Sequence, residues 1–231
     1  MPTVRLREVV RATPRTRVLR LDLRGATFAF HAGQAVLVGR ASSAARSAYS
    51  IASAPSLAST GVLELLVPAD GAFGELGLDP GDVAGQWLAL EGPVGSFGVP
   101  AGATSAPLLL IGGGTGIAPL RSVALERLEQ AGAAPMVLVY SARTPDEFAF
   151  GDEFVALDRQ GRLRLHKTVT RDEPTADWAG RSGRIDDALL AAALPGGDAW
   201  CLVCGPAGFV ATVTASLEGL GVPAERIVVE R

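Results

Sequence analysis

Cysteine and histidine are scarce in this chain of 231 residues, since each occurs only twice. The two cysteines, Cys201 and Cys204, are too few for a disulfide framework or for an iron–sulfur cluster, which usually takes about four protein ligands. The two histidines, His31 and His166, have no Cys, Asp or Glu partner at metal-ligand spacing. The sequence therefore predicts no metal site, and we expect any iron–sulfur centre that works with this chain to belong to another protein.

Long apolar runs and an excess of positive charge are also missing from the sequence. The longest apolar segments, such as residues 108–111, are of strand length, whereas a bilayer-spanning helix needs about 20 residues. The first residues carry charges throughout and resemble neither a signal peptide nor a membrane anchor. Lys and Arg total 21 against 24 Asp and Glu, which leaves no basic field for a nucleic-acid backbone. We therefore expect a soluble, cytoplasmic protein with no membrane span and no nucleic-acid partner.

The first half of the chain is built from short alternating apolar segments. Clear examples are residues 17–23, 35–38 and 62–67, and they are separated by turns that contain Gly and Pro, as at residues 91–95. Alternation is typical of half-buried strands, and Gly and Pro permit tight reversals. The pattern predicts an antiparallel Greek-key β-barrel over residues 1–101, and such closure removes exposed strand edges.

The second half follows a different pattern after the Pro-, Ala- and Gly-rich stretch at residues 99–107. Apolar segments of the buried-strand type alternate there with segments of helical spacing, which is typical of a parallel sheet with βαβ connections. The predicted strands are residues 108–111, 137–140, 163–169, 201–204 and 227–229. The predicted helices are residues 120–131, 146–158, 185–193 and 209–220. The expected fold is therefore a two-domain β plus α/β arrangement, with a parallel α/β domain over residues 102–231.

A glycine-rich turn at residues 112–119 follows the first strand of the second half and leads into a helix that begins near Pro119. Glycines let the backbone approach a pyrophosphate closely, and the free N–H groups at a helix start favour its negative charge. Ile117 stands where the G-x-G-x-x-G pattern needs its third glycine, so a standard Rossmann enzyme is disfavoured. The residues alone leave a phosphate site and a plain tight turn as alternatives.

Two motifs of the second half resemble motifs of the ferredoxin–NADP reductase family. Residues 112–119 read GGGTGIAP and resemble the family's G-G-G-T-G-I-x-P turn, and Cys204-Gly205-Pro206 resembles its C-G-P motif. The resemblance implies that the turn meets the pyrophosphate and nicotinamide end of NADPH or NADH, and that the Cys204 thiol lies beside the nicotinamide ring. The implied dinucleotide contacts are Gly113, Gly114, Thr115, Gly116, Pro119, Cys204, Gly205 and Pro206. Cys201 is expected in the core, since residues three apart on a strand point to opposite faces.

The segment at residues 140–147 follows the second predicted strand, where α/β dinucleotide folds hold the adenosine ribose. Its candidate contacts are Ser141 and Arg143. Arg143, and secondarily Arg171, would pair with a 2′-phosphate and select NADPH, because a guanidinium matches phosphate geometry. A solvated surface arginine is the alternative, so the choice between NADPH and NADH stays open.

Residues 46–53 of the barrel half read RSAYSIAS and resemble the family's R-x-Y-S flavin motif. The resemblance implies that Arg46 binds the FAD pyrophosphate, that Tyr49 covers the isoalloxazine and that Ser50 hydrogen-bonds near flavin N5. The implied flavin contacts in this segment are Arg46, Tyr49, Ser50, Ile51 and Ser53. Arg46 lies one position upstream of the family's arginine, where Ser47 stands instead, and a β-bulge would restore its reach.

Two further matches complete the expected site. Gly71-Ala72-Phe73-Gly74 resembles the family's flavin pyrophosphate loop, and Gly74 stands where many relatives have Ser or Thr, so backbone N–H groups would bind the phosphate. Glu230 matches a near-terminal acidic residue that approaches the active site in relatives. The expected catalytic residues are Ser50, Cys204 and Glu230, which would hold nicotinamide C4 against flavin N5.

The matches follow the family's order through nearly the whole chain and imply an NAD(P)H-dependent flavoprotein reductase. The resemblance implies that FAD binds the barrel domain at residues 1–101 and that NADPH or NADH binds the α/β domain at residues 102–231. FAD would take a hydride from NADPH or NADH and pass the electrons to a ferredoxin, another iron–sulfur protein, a haem protein or an oxygenase. One alternative of the same fold is an NAD(P)H:flavin reductase that uses free flavin as a diffusing substrate, which the displaced Arg46 and the unusual Gly74 favour. A second alternative is a non-catalytic electron-transfer subunit of a larger complex.

Overall fold

The structure is a computed structural model, and it describes residues 3–26, 28–69, 85–171 and 178–230. Within these ranges the chain forms two six-stranded sheets, one from each half. The strand pairs of the first sheet are antiparallel. Those of the second sheet are parallel. The predicted fold class, a β half followed by an α/β half, is therefore confirmed.

The antiparallel sheet has the strand order β4-β3-β6-β1-β2-β5. Its strands are β1 (Thr3–Thr13), β2 (Thr16–Asp22), β3 (Ala35–Arg40), β4 (Ser47–Ser50), β5 (Val62–Pro68) and β6 (Trp87–Val94), with a short helix α1 (Pro55–Ser59) between β4 and β5. A bridge between Ile51 and Leu65 brings the segment after β4 against β5, so the two edges of the sheet meet. The sheet thus curls around an apolar core that includes Leu6 and Leu19, as the alternating pattern predicts.

The parallel sheet has the strand order β10-β9-β8-β7-β11-β12. Its strands are β7 (Leu108–Gly113), β8 (Met136–Ala142), β9 (Arg164–Val169), β10 (Arg181–Ser182), β11 (Trp200–Cys204) and β12 (Ile227–Val229). Its helices are α2 (Ile117–Leu128), α3 (Gly151–Arg159), α4 (Asp187–Ala193) and α5 (Ala207–Gly219). The chain leaves β7 in one direction and returns to β11 on its other side. Ligands of open α/β sheets bind at the carboxyl ends of strands beside such a switch point.

The observed elements follow the sequence predictions with two informative differences. Every predicted strand is present with ends shifted by at most two residues, but the short strand β10 was not predicted. The helix predicted at residues 146–158 is divided. Pro145–Glu147 forms a 3₁₀ turn, and α3 begins only at Gly151 because Phe150 has a φ of 57°, outside the right-handed helical region.

One apolar cluster is shared by the two halves. It combines barrel residues such as Val18, Ala52 and Leu66 with Leu110 and Ile117 of the second half. Because this core crosses the junction, the two halves are packed against each other. The division of the chain at residue 102 therefore stays a proposal about domain organisation.

Neither a metal cluster nor a membrane-spanning helix occurs in the described ranges. No group of three His, Cys, Asp or Glu residues in that part of the chain is placed to hold a metal ion. None of the helices described there combines the length and apolarity needed to cross a membrane. The two cysteines are free thiols on opposite faces of the sheet: Cys201 packs in the cluster that contains Leu109, as predicted, and Cys204 packs in the cluster that contains Leu110.

Candidate functional site

The glycine-rich turn lies at the carboxyl end of β7, beside the switch point of the parallel sheet. A side chain at Gly116 would place its Cβ 2.3 Å from the carbonyl oxygen of Cys204, so this position requires glycine. Gly113 is covered by the ring of Phe209, 3.2 Å from where its Cβ would be. Gly114 adopts a φ of 57°, which an L side chain rarely adopts. Glycines therefore let the turn pack tightly against the strand that ends in Cys204.

Helix α2 starts directly from this turn, and Pro119 lies in its first turn, as expected. Among the described residues, no side chain caps the helix start and no acidic residue occupies its first turn. The uncapped N–H groups and the helix dipole make this end suitable for an anion. The geometry favours the phosphate interpretation of the turn over a plain reversal.

A cleft of about 660 Å³ opens beside the turn. Its lining includes the following predicted dinucleotide contacts: Gly113, Gly114, Thr115, Ser141, Arg143 and Pro206. Gly116, Pro119, Cys204 and Gly205 do not line it; Cys204, 4% exposed, lies behind the turn. The cleft also has walls that the sequence did not predict, namely Thr13, Arg15 and Leu66 from the barrel and Phe209 from α5. It therefore lies between the two halves.

The lining of the cleft is positively charged. Arg15, Arg143, Arg171 and Arg184 line it, and the acidic residue among the described lining residues, Glu147, is paired with Arg15 at 3.0 Å. Arg143 and Arg171 lie after neighbouring strands, and the backbone N–H of Arg171 donates to the carbonyl of Arg143 at 3.0 Å. A cleft with this charge suits a ligand that carries phosphates.

Tyr140 contacts the glycine-rich turn through its side chain, and this contact was not predicted from the sequence. It is 1% exposed, and its hydroxyl donates to the carbonyl of Gly114 at 3.2 Å. Its ring packs edge-on against Phe148, with 4.9 Å between the ring centroids. Burial raises the pKa of the phenol, so the hydroxyl keeps its proton and stays a donor to the turn.

Ser50, Cys204 and Glu230 form one hydrogen-bonded group, which we call the Glu230 cluster. The Ser50 hydroxyl donates to Oε1 of Glu230 at 2.7 Å, and the Cys204 thiol donates to Oε2 at 2.6 Å. The backbone N–H of Glu230 donates to the carbonyl of Val203 at 3.3 Å, which anchors the carboxylate beside β11. The structure thus brings together the three residues that were predicted to be catalytic, from the ends of β4, β11 and β12.

The Cys204 thiol is held in its neutral form. Burial is the main cause of the raised pKa of Cys204, and the negative charge and the hydrogen bond of Glu230 raise this pKa further. A protonated thiol is a weak donor and a poor nucleophile. The burial and neutral form of Cys204 therefore favour a packing or hydrogen-bonding role over covalent chemistry.

Arg46 is already engaged by other groups of the barrel. Its Nε donates to the carboxylate of Glu91 at 2.6 Å, and its Nη1 donates to the carbonyls of Ser43 and Ala45 at 2.6 and 2.8 Å. The bulge considered from the sequence is absent from the described pairing of β3 with β4, which runs in regular register from Ser47 to Ser50. Arg46 therefore precedes the strand, and its role as a contact of the FAD pyrophosphate stays a prediction.

The other predicted flavin contacts are mostly buried. Tyr49 is 8% exposed and packs in the barrel core, so its role as a cover for a flavin ring stays a prediction. Ile51 and Ser53 are fully buried, and the Ser53 hydroxyl accepts the N–H of Glu64 at 3.1 Å. The predicted pyrophosphate loop, Gly71-Ala72-Phe73-Gly74, lies outside the described residues.

Comparison with known proteins places these features in a family. A family model described as an oxidoreductase NAD-binding domain matches residues 110–215. Ferredoxin–NADP reductase B of Sorangium cellulosum is 33% identical over 219 residues, which cover 90% of this chain and 87% of that protein.

Two further comparisons extend the likeness. The xylene/toluene monooxygenase electron transfer component of Pseudomonas putida is 29% identical and matches 65% of this chain but only 43% of its own length. A cytochrome P450 reductase from Amycolatopsis, known from a crystal structure, is 28% identical in sequence to this chain. The two structures are similar with a TM-score of 0.85, and the match covers 99% of this chain and 68% of that chain. The likeness thus covers both halves of this chain, while these two proteins extend beyond it.

Proposed function

Since the chain belongs to the ferredoxin–NADP reductase family, we propose that it takes a hydride from NADPH or NADH at the Glu230 cluster and delivers the electrons to a separate redox protein. Family membership makes it an NAD(P)H-dependent flavoprotein reductase that uses FAD. The site residues and the acceptor are the parts that we propose.

The observation that carries the proposal is the Glu230 cluster. Ser50 and Glu230 are 180 residues apart in sequence, yet one carboxylate holds both the Ser50 hydroxyl and the Cys204 thiol. The cluster adjoins the glycine turn, since Gly116 packs on the backbone of Cys204. Groups that are held before the reactants arrive reduce the entropic cost of aligning them, which is a large part of catalysis in hydride transfer.

Bound FAD supplies the redox chemistry, because a flavin accepts a hydride and can release the two electrons singly. The residues that would hold it are Arg46, Tyr49 and Ser50. They fit a flavin in their donor set, since the edge strand β4 ends in a half-buried hydroxyl and is preceded by a guanidinium. Glu230 fixes the Ser50 side chain by accepting a hydrogen bond from its hydroxyl, which leaves the serine oxygen able to accept a further hydrogen bond.

The dinucleotide would lie in the cleft between the halves. Its pyrophosphate would meet the start of α2, and its adenosine ribose would lie near Ser141. Arg143 and Arg171 supply two guanidinium groups from adjacent strand ends, which favours a 2′-phosphate and hence NADPH. Turnover compared with NADPH and with NADH tests this preference.

The acceptor that we propose is a separate iron–sulfur or haem protein, such as a ferredoxin or an oxygenase component. The support is the likeness to a ferredoxin–NADP reductase along most of both chains and to a monooxygenase electron transfer component along part of its length. Reduction of a ferredoxin and of cytochrome c by the purified protein with NADPH tests this part of the proposal.

A second candidate function is an NAD(P)H:flavin reductase that releases its flavin. The observation that favours it is the engagement of Arg46 by Glu91, because a guanidinium that already has a carboxylate partner is less available to a flavin phosphate. Tightly bound and diffusing flavin are separated by gel filtration of the protein after incubation with FAD.

The visible spectrum of the purified protein, recorded anaerobically before and after addition of NADPH or NADH, tests the main proposal. We expect flavin bands that co-elute with the protein and bleach on addition of the nucleotide. Bleaching only with an excess of free flavin would favour the second candidate. Protein that carries FAD but is not bleached by either nucleotide would contradict the proposed function.

A further inference from the structure

A buried arginine, Arg121 of α2, joins the two halves at a point that the proposed reaction does not use. Its Nη1 donates to the carbonyl of Ala52 and to the carboxylate of Glu64, both at 2.8 Å. Its Nε and Nη2 donate to the two oxygens of Glu153 at 2.6 and 3.1 Å. Arg121 therefore ties α2 to the segment after β4, to strand β5 and to helix α3.

Neighbouring groups extend this contact. The hydroxyl of Ser122 donates to the carbonyl of Ser53 at 2.7 Å, and the Ser53 hydroxyl accepts the backbone N–H of Glu64 at 3.1 Å. The guanidinium carbon of Arg121 lies 4.2 Å from the centroid of the Phe150 ring. We call the group of Ser53, Glu64, Arg121, Ser122 and Glu153 the α2 joint.

The α2 joint lies close, along the chain, to both sides of the proposed reaction site. Ala52 follows Ser50 by two residues, and Arg121 follows Gly116 by five. The intervening residues are rigidly placed, since Ile51 is fully buried and bridged to Leu65, and residues 117–120 are buried in the first turn of α2. A displacement at the α2 joint would therefore move the glycine turn relative to Ser50.

The chemistry of the α2 joint suits a positioning role better than simple adhesion. An apolar patch would hold two surfaces together but would tolerate small slides between them, whereas directional hydrogen bonds from a planar guanidinium allow one arrangement. A buried ion pair is weak evidence for stability, because desolvation offsets the attraction. Glu64 also accepts from Arg20 of the barrel at 2.9 Å, so its charge has a second partner within the same half.

We propose that Arg121 is a positioning residue that sets the distance between the nicotinamide and the flavin by fixing α2 on the barrel. The inference rests on the proposed function. Hydride transfer requires the reacting atoms at about 3–3.5 Å, and a shift of about 1 Å costs about a hundredfold in rate. Arg121 thus acts on the hydride-transfer step without touching either reactant.

The test compares Arg121→Met with Arg20→Met in the FAD-loaded protein. Both variants remove a guanidinium from Glu64, but Arg20 lies wholly within the barrel and its pairs with Glu8 and Glu64 do not cross to the second half. The limiting rate of flavin reduction and the nucleotide Kd are measured by anaerobic stopped flow with NADPH. The primary isotope effect with 4-deuterated NADPH, the flavin spectrum and the Tm are recorded for each protein.

We expect Arg121→Met to lower the limiting rate by about ten- to a hundredfold, while the nucleotide Kd changes by less than about threefold and the isotope effect persists. Arg20→Met is expected to stay within about threefold of the wild type in rate. Arg121→Lys keeps the positive charge but loses the planar guanidinium with its several donors. It is expected to restore only part of the rate of flavin reduction. If Arg121→Met fails to fold, Ser122→Ala removes one hydrogen bond across the α2 joint with all charges paired, and a rate loss of about three- to tenfold is expected.

Folded Arg121 or Ser122 variants that reduce flavin at the wild-type rate, with only a lower Tm, would overturn the positioning role. Equal rate losses in Arg121→Met and Arg20→Met would also overturn it, because the loss would then follow Glu64 and not the contact between the halves. Failure of the wild-type protein itself to be reduced by either nucleotide would instead refute the proposed function, and this inference with it.

Discussion

The barrel half and the α/β half hold their candidate phosphate-binding groups in opposite ways. In the α/β half, Arg143, Arg171 and Arg184 line an open cleft next to a glycine turn whose shape is set by backbone packing. In the barrel half, Arg46 is held by Glu91 and two carbonyls, and its side chain is 13% exposed. The proposed nucleotide site is therefore shaped by main chain, whereas the proposed flavin phosphate contact is one side chain that already has a carboxylate partner.

The largest effect that this comparison predicts is at Gly116. In Gly116→Ala the new Cβ would lie 2.3 Å from the carbonyl oxygen of Cys204, and backbone on both sides has to shift. We expect a loss of about 1–3 kcal/mol in the free energy of unfolding. We also expect the rate of flavin reduction to fall about a hundredfold, because the turn moves relative to the Glu230 cluster.

The matched control is Gly102→Ala, where the added Cβ has no neighbour within 4 Å and the backbone needs no positive φ. Stopped-flow reduction and denaturant unfolding of both variants measure the two effects. Nearly wild-type behaviour of Gly116→Ala would mean that close packing of the turn on β11 is not what preforms the nucleotide site.

The second prediction concerns the residue that joins the two halves at the reaction site. Glu230→Gln keeps the size of the side chain but leaves one acceptor oxygen for the two donors, Ser50 and Cys204. We expect the limiting rate of flavin reduction to fall at least about tenfold, which corresponds to the loss of one hydrogen bond to a charged group. Glu218→Gln, on the exposed face of α5, is the control and should leave the rate unchanged.

A rate for Glu230→Gln within twofold of the wild type would show that the negative charge is not needed. The cluster would then position its donors by shape alone. The α/β half would in that case supply the reaction geometry without an electrostatic contribution from this carboxylate.

The third prediction tests the flavin side of the comparison directly. Arg46→Ala removes the guanidinium and should weaken FAD binding about tenfold, as expected for one charge-assisted hydrogen bond. Glu91→Gln removes the competing charge and should tighten FAD binding by about threefold, because Arg46 becomes more available. Flavin fluorescence titration of the apoprotein measures both constants.

The control for this pair is Arg24→Ala, an exposed arginine of the same half that is paired with Asp22. Weaker FAD binding by Glu91→Gln, similar to that of Arg46→Ala, would show that the Arg46–Glu91 pair binds the flavin as one unit. The contrast between an open and an occupied arginine site would then be wrong.

The fourth prediction is a pH dependence that belongs to the α/β half, since both cysteines lie there. Burial raises the pKa of Cys201 to about 12, whereas a thiol in the unfolded chain ionises near pH 8.5. The native state keeps a proton that the unfolded state loses, so stability is full below about pH 8.5 and falls above it. For each such thiol, the free energy of unfolding falls by at most about 1.4 kcal/mol per pH unit.

Guanidinium unfolding between pH 7 and pH 10.5 measures this slope for the wild type and for Cys201→Ala. In Cys201→Ala one buried thiol is absent, so the free energy of unfolding should fall less steeply with pH than in the wild type. Parallel curves for the two proteins would mean that Cys201 ionises in the native state as readily as in the unfolded chain.

Local sequence patterns predicted the fold, whereas the resemblance to the family pointed to the members of the Glu230 cluster. Strand alternation predicted the barrel, and Ser50, Cys204 and Glu230 each follow or end a strand in a segment that resembles a family motif. The divided helix at residues 145–151 was missed because a single positive φ at Phe150 has no signature in apolar spacing. The glycines of the turn were interpretable because Gly113, Gly114 and Gly116 each have a close neighbour or a positive φ that favours glycine.

Long-range charge pairs could not be predicted in the same way. Arg121 has the sequence context of an ordinary helix-surface arginine, and its partners Glu64 and Glu153 lie 57 and 32 residues away. The Arg46–Glu91 pair spans 45 residues. Only the three-dimensional packing of the chain reveals that these charges are paired, which is why the α2 joint and the engagement of Arg46 by Glu91 emerged from the structure.

The limiting rate of flavin reduction in Cys204→Ala, measured beside its FAD affinity, tests the central claim that the nicotinamide meets the flavin at the Glu230 cluster. We expect a rate loss of about tenfold or more with an FAD Kd within about twofold of the wild type, because Cys204 contacts Glu230 from the α/β half and not from the barrel. Equal rates of flavin reduction in wild type and Cys204→Ala would contradict the claim.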